Sequence, residues 1–200
     1  EMAKRHDLLI FVDEVLEYLN YENQPHVSIG AMDGMADRTL TFNGFSKSYS
    51  MSGWRVGYVA GTQSIIKNML KIHQHAVTCA NAFSQKGAVN AITGSQAGRL
   101  KIKESLFIRR NFLWRALNEI PGVRCELPEA GLFCFPDISK LGLSDQEFGD
   151  FCLEQAGVAV LPGSLFGSGG EGHVRIAFGK RSIDRLKEAA IRIATAVNNL

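Results

Sequence analysis

What most constrains this chain is the alternation of short apolar runs with long helical patterns over its first hundred residues. Residues 8–12 (LLIFV) form a continuous apolar run, the pattern of a strand covered on both faces, and Asp13 and Glu14 follow at once. Residues 39–43 (TLTFN) predict a second strand and 56–60 (VGYVA) a third. Helices are expected at about 63–76, 81–97 and 99–118. Strands interleaved with helices predict an α/β layer with a mainly parallel sheet. Pro121-Gly122 then breaks the pattern. Beyond it, short β segments are expected near 123–127, 131–136 and 158–160, with a helix at about 144–155 and a last strand over 173–178. An amphipathic C-terminal helix follows, with Ser182 as its N-cap and Ile183, Leu186 and Ala190 on one face. The second half reads as a smaller α+β unit. The boundary is expected inside the long helix, giving residues 1–105 and 106–200.

Composition excludes several classes of function. The 200 residues are 46% apolar and 21% charged, with a net charge of +2. That balance is globular, not disordered or fibrous, and gives no electrostatic case for nucleic acid or an anionic membrane as a partner. No apolar run approaches the ~20 residues of a membrane helix. Glu1 to Asp7 is charged and no long apolar stretch follows, so no signal peptide is expected. Cys79, Cys125, Cys134 and Cys152 show neither metal spacing nor a disulfide framework. Buried thiols in a reducing compartment, the cytoplasm, are expected. The five histidines are scattered, and no metal site is expected. The opening EMAKRHD reads as the tail of a helix already under way, the first hint of a longer protein.

The chemistry concentrates in Asn43–Tyr58 (NGFSKSYSMSGWRVGY). A lysine just after a strand, in a Gly/Ser-rich turn, is unusual, since lysines normally sit on solvated faces. Ser46 and Ser48 flank Lys47, Gly44 and Gly53 loosen the turn, and Arg55 lies eight residues on. Together these groups suit a phosphate and an amine, the setting of a lysine that forms a Schiff base with an aldehyde cofactor. Phe45 and Trp54 are expected in the core.

This stretch resembles the lysine signature of the class I/II, fold-type I aminotransferases, which use pyridoxal 5'-phosphate. The resemblance implies that Lys47 carries the cofactor and shuttles the proton, that Arg55 holds the cofactor phosphate, and that Ser46 is a further cofactor contact. FVDEVLEYLNY (11–21) resembles the family segment whose aspartate, Asp13 here, pairs with the pyridine nitrogen. GVAVLPGSLFGSGGEGHVRIAF (157–178) is similar to the family's C-terminal segment, which implies that Arg175 binds the substrate α-carboxylate. A planar guanidinium fork matches a carboxylate where lysine would not. PEAGLFCFPDIS (128–139) resembles the family's small-domain hairpin. One position departs: the family usually has tyrosine three residues after the aspartate, and Leu16 stands there, with Tyr18 two residues on.

The resemblance therefore implies the C-terminal part of a fold-type I large domain, a partial and mainly parallel sheet with helices, followed by a small α+β domain. It implies transamination between an amino acid and a 2-oxo acid, closest to the aspartate/aromatic/alanine group, by a full-length homodimer about twice this long. The missing N-terminal half would supply most of the sheet and several cofactor contacts. A lyase or synthase on the same fold, or a cofactor-binding effector module, are the alternatives. With so little of the sheet present, the 200 residues alone are expected to be poorly soluble or loosely packed.

Overall fold

The first strand of the chain ends on a carboxylate. A four-residue helix, α1 (Met2–Arg5), leads into β1 (Ile10–Asp13). These elements are those of a computed structural model that describes residues 1–22, 24–179 and 182–200. Its contacts divide the chain into two units, Glu1–Lys103 and Glu104–Leu200.

In the first unit, β1 pairs in parallel with β2 (Thr39–Gly44), with Asp13 opposite Phe42. The 45–56 segment closes as a loop with no crossover helix, so β3 (Gly57–Ala60) returns antiparallel to β2, Gly44 opposite Gly57. The three-stranded sheet is thus mixed, in the order β1-β2-β3. Gly57 is a steric requirement, because a Cβ there would sit 2.8 Å from the Asn43 carbonyl oxygen. The apolar run of β1 is not covered on both faces. Ile10 and Val12 are half-buried, but Phe11 is 64% exposed and stacks on Phe42 at 6.0 Å.

Helices α2 (Gln63–Ala76) and α3 (Ala82–Thr93) follow. Asn81 caps α3 by accepting the Ser84 amide at 2.8 Å. The helix expected over 81–97 stops at Thr93. The Gln96 side-chain amide donates to the Ala91, Ile92 and Gly94 carbonyls at 3.0, 3.2 and 2.9 Å, satisfying acceptors that the ended helix leaves open. Helix α4 (Ala97–Asn118) then runs through the unit boundary.

The second unit carries an antiparallel sheet in the order β4-β6-β5, formed by β4 (Phe133–Cys134), β5 (Leu161–Pro162) and β6 (Val174–Ala177). The strand expected at 123–127 is reduced to a bridge between Arg124 and Asp137, and the one at 158–160 forms instead at Leu161–Pro162. Side-chain bonds occupy the backbone that a longer strand would use: Asn118 and Trp114 both donate to the Cys125 carbonyl, and Asn118 accepts its amide. Helix α5 (Asp145–Phe151) starts in a Ser144/Glu147 capping box and passes into a π-helical turn, Cys152–Ala156, that ends at Gly157 with φ 63°. Helix α6 (Ile183–Val197) is capped by Ser182 and buries Leu186, Ala190, Ile193 and Val197. Phe148, Phe178, Leu113, Leu117, Ile138 and Val174 complete this core. Cys125, Cys134 and Cys152 are buried, whereas Cys79 is exposed.

The first unit leaves large apolar side chains in water: Phe11, Ile72 and Phe83 are all more than 60% exposed. The 200-residue chain is therefore expected to bind a hydrophobic dye and to self-associate. A sharp, reversible melt of a dye-silent monomer would contradict this.

Three carboxyls of the second unit lie below their ordinary values, each through hydrogen bonds from one serine's side chain and amide: Asp137 from Ser139, Asp145 from Ser164 and Glu147 from Ser144. A lowered native pKa means that the unfolded chain binds more protons in acid. The stabilisation is complete above the ordinary carboxylate range, about pH 4–5, and is lost as pH falls through the lowered native values. In Trp54→Phe protein, Trp114 fluorescence should report a flat melting midpoint from about pH 7 to 5 and a fall below about pH 4. The Asp145→Asn change should make that fall shallower. A midpoint that rises on acidification would contradict the assignment.

Candidate active site

Strand direction assembles one edge of the first unit's sheet. Because β1 and β2 are parallel, Asp13 ends β1 at the same edge where Gly44 ends β2. Because β3 is antiparallel to β2, its first residue, Gly57, lies at that edge too. Asp13, the Lys47 loop and Arg55 thus all emerge outside the carboxyl ends of the parallel pair, where α/β sheets bind ligands. Asp13 accepts the Val15 amide at 3.1 Å through Oδ1 and is otherwise exposed to solvent.

The Lys47 loop is pinned on both sides of its lysine. Phe45 is buried, packs on Tyr49 at 5.5 Å, and accepts the Met51 amide through its carbonyl. Ser48 is buried, and the Tyr49 hydroxyl donates to Gln96 Oε1 at 3.1 Å. Between these anchors Lys47 is exposed; its carbonyl accepts the Ser50 amide, and its side-chain amine has no hydrogen bond or ion pair among the described residues. Ser46 is half-buried and also without a partner there, and the Ser48 Oγ is buried and unsatisfied. Orphaned hydroxyls beside a free amine fit a ligand that brings its own acceptors.

Arg55 follows a 3-10 turn, Ser52–Trp54, in the left-handed region (φ 52°, ψ 46°). Ser50, at φ 54°, is also left-handed, so two of the four non-glycine residues with positive φ among the described residues lie in this loop. Such strain concentrates where surrounding structure fixes a functional group. Here α3 does the fixing. The buried Ser84 hydroxyl donates to the Trp54 carbonyl at 2.8 Å, and Gly87 leaves room for the indole, which any side chain at that position would strike. Trp54 is 42% exposed and braces this turn rather than filling the core. Ser84 and Gly87 were not predicted, and a serine and a glycine inside a helical stretch give only a weak signal. Arg55 spends one nitrogen on the Ser52 carbonyl at 2.8 Å and has no carboxylate partner among the described residues.

Leu16 brings no hydroxyl to this edge, and Tyr18 is engaged elsewhere. Its ring lies 3.7 Å from the Arg99 guanidinium carbon and edge-on to Tyr49 at 6.4 Å. Beside it, Glu14, Glu17 and His26 each offer a ligand atom within 4.8 Å of the others, a grouping that the scattered histidines did not suggest. Glu14 is buried, with Oε2 3.4 Å from His26 Nε2 and Oε1 unpaired. Glu17 accepts from Asn43 Nδ2 at 2.8 Å, and Arg99 and Lys103 line the adjoining cleft, where their charge opposes a dication.

In the second unit Arg175 projects from β6, half-buried. Its guanidinium carbon lies 4.5 Å from the Phe133 ring centre and 4.7 Å from that of Phe166. Its side chain has no carboxylate or hydrogen-bond partner among the described residues, so its planar fork remains available to an anion.

The model of the family described as aminotransferase class I and II matches residues 1–193. The putative aminotransferase YugH of Bacillus subtilis is 40% identical over 193 residues, covering 96% of this chain and 49% of that protein. An aspartate aminotransferase of Pyrococcus abyssi is 38% identical over 195 residues, covering 96% and 50%. The solved aromatic aminotransferase from Pyrococcus horikoshii superposes with a TM-score of 0.95 at 36% identity, over 99% of this chain and 53% of that one. The chain spans about half the length of the curated relatives it matches. These matches show that the chain belongs to the class I and II aminotransferase family, whose members in general depend on pyridoxal phosphate.

Proposed function

We propose that these residues form the C-terminal half of a pyridoxal-phosphate-dependent aminotransferase that exchanges amino groups between an amino acid and a 2-oxo acid. The carrying observation is an unpartnered Lys47 held between anchored neighbours, on the sheet edge that also presents Asp13 and Arg55. When bound, pyridoxal phosphate supplies an electron-withdrawing pyridinium that acidifies the substrate Cα–H. The Lys47 amine anchors the cofactor and, once displaced by substrate, its Nζ takes up the Cα proton as general base and returns it as general acid. The Asp13 carboxylate keeps the ring nitrogen protonated. The free edge of Arg55 and the Ser46 hydroxyl hold the phosphate. Arg175 receives the substrate α-carboxylate through two parallel hydrogen bonds.

We read the full-length protein as a cytoplasmic homodimer in amino acid biosynthesis. Supporting this are the thiol-bearing, disulfide-free cysteines, the absence among the described residues of a helix long and apolar enough to cross a membrane, and the apolar surface of the first unit. Leu16 favours one second reading, a lyase or synthase on the same fold, because the hydroxyl usual at that position is missing and Tyr18 is held by Arg99. Release of ammonia without a 2-oxo acid acceptor would support that reading over transfer.

In the full-length protein, Lys47→Ala should lower transamination at least about 1000-fold, and Lys47→Arg should do no better. Retained turnover in Lys47→Ala would refute the assignment. Ser84→Ala, which touches no proposed ligand, should cost about 1–2 kcal/mol of stability and weaken cofactor affinity with little change in turnover at saturation. An unchanged cofactor Kd would show that Arg55 does not depend on α3.

A further inference from the structure

Two aromatic rings, and no carboxylate among the described residues, restrain the half-buried Arg175. A cation–π contact brings no oxygen acceptor to the guanidinium, so the rings restrain the group while leaving its donors without a carboxylate or carbonyl partner. A carboxylate partner would have restrained it too, but would have competed with an incoming anion.

The chain commits considerable local structure to one of these rings. Phe166 ends a 3-10 turn, Gly163–Phe166, in the glycine-rich segment before β6, and Gly167 turns back at φ 116° into a second one, Ser168–Gly170. The two turns are pressed together: a methyl group at Gly163 would strike the Gly170 carbonyl oxygen, and one at Gly170 would strike that of Gly163. Asp145 accepts the Ser164 amide at 2.8 Å, and the His173 carbonyl accepts the Gly163 amide at 2.8 Å. The outcome is a tethered turn that carries Phe166, 51% exposed, onto Arg175. Phe135 steadies it edge-on at 6.2 Å and is itself stacked on His173 at 5.2 Å. The other ring, Phe133, comes from β4, opposite Ala177 of β6.

We propose that Phe166, with Phe133, is a positioning residue for substrate carboxylate binding: the rings fix the Arg175 guanidinium in place before the substrate arrives. The inference rests on the reading of Arg175 as the carboxylate anchor. Fixing the group in advance removes an ordering cost from binding, so its loss appears in affinity and not in the chemical step. The glycine-rich segment, which matches no phosphate loop, thereby acquires a role as the carrier of Phe166.

The test uses the full-length enzyme loaded with cofactor and two readouts: steady-state kinetics with an amino acid, and competitive inhibition by propionate, a carboxylate that cannot react. Phe166→Leu should raise both KM and the propionate Ki by about 3- to 30-fold with kcat within about twofold. Phe166→Tyr, which keeps a ring face, should restore both, and Phe133→Leu should behave like Phe166→Leu. A fall in kcat at constant KM, unchanged constants, or failure of Phe166→Tyr to restore them would overturn the proposal. Arg175→Lys separates the two levels. If it leaves propionate inhibition intact, the reading of Arg175 itself fails. If it abolishes inhibition while Phe166→Leu does not alter it, only the positioning role fails.

Discussion

Parallel pairing of β1 with β2 is the constraint on which the first unit's chemistry depends. It sends two strand ends to one edge, and the antiparallel return of β3 closes the intervening loop at that edge. Reversing either pairing would put Asp13 or Arg55 at the far end of the sheet. Gly57 makes the return possible, because a side chain there would collide with the Asn43 carbonyl. A few backbone pairings thus set the location of groups that are up to 42 residues apart in sequence (55 − 13).

Within each unit the chain keeps its reactive groups free by anchoring their neighbours. Phe45 and Ser48 are buried so that Lys47 need not be, and Tyr49 is bonded to Gln96, which also caps the end of α3. Arg55 is held through the Trp54 backbone by Ser84, and Arg175 through ring faces. In each case the restraint acts on atoms that the ligand does not need. The cost is carried locally as left-handed backbone at Ser50 and Arg55.

The sequence made the motif legible because its chemistry is local: a lysine, its flanking hydroxyls and an arginine lie within ten residues and follow a strand. Helices were legible from their period and from caps such as Ser182. The apolar run of β1 misled, since continuity of apolar residues does not reveal that Phe11 faces solvent. The short strands of the second unit were overextended, because Asn118 and Trp114 bond the Cys125 backbone from a helix that no strand pattern reveals. Trp54, Ser84 and Gly87 could not be paired from sequence, as a contact between a turn and a helix thirty residues on leaves no periodic trace. The aromatic clasp of Arg175 draws on Phe133 and Phe166, which belong to separate elements and meet only through the sheet register and the turn geometry.

The central claim is that Lys47 is the residue that bonds the cofactor. The most direct measurement incubates the full-length protein with pyridoxal phosphate, reduces it with borohydride, and locates the modified lysine by peptide mass spectrometry. The account predicts one stoichiometric adduct on the peptide containing Lys47. An adduct distributed over surface lysines such as Lys67, Lys71 and Lys86, or confined to a different lysine, would contradict it.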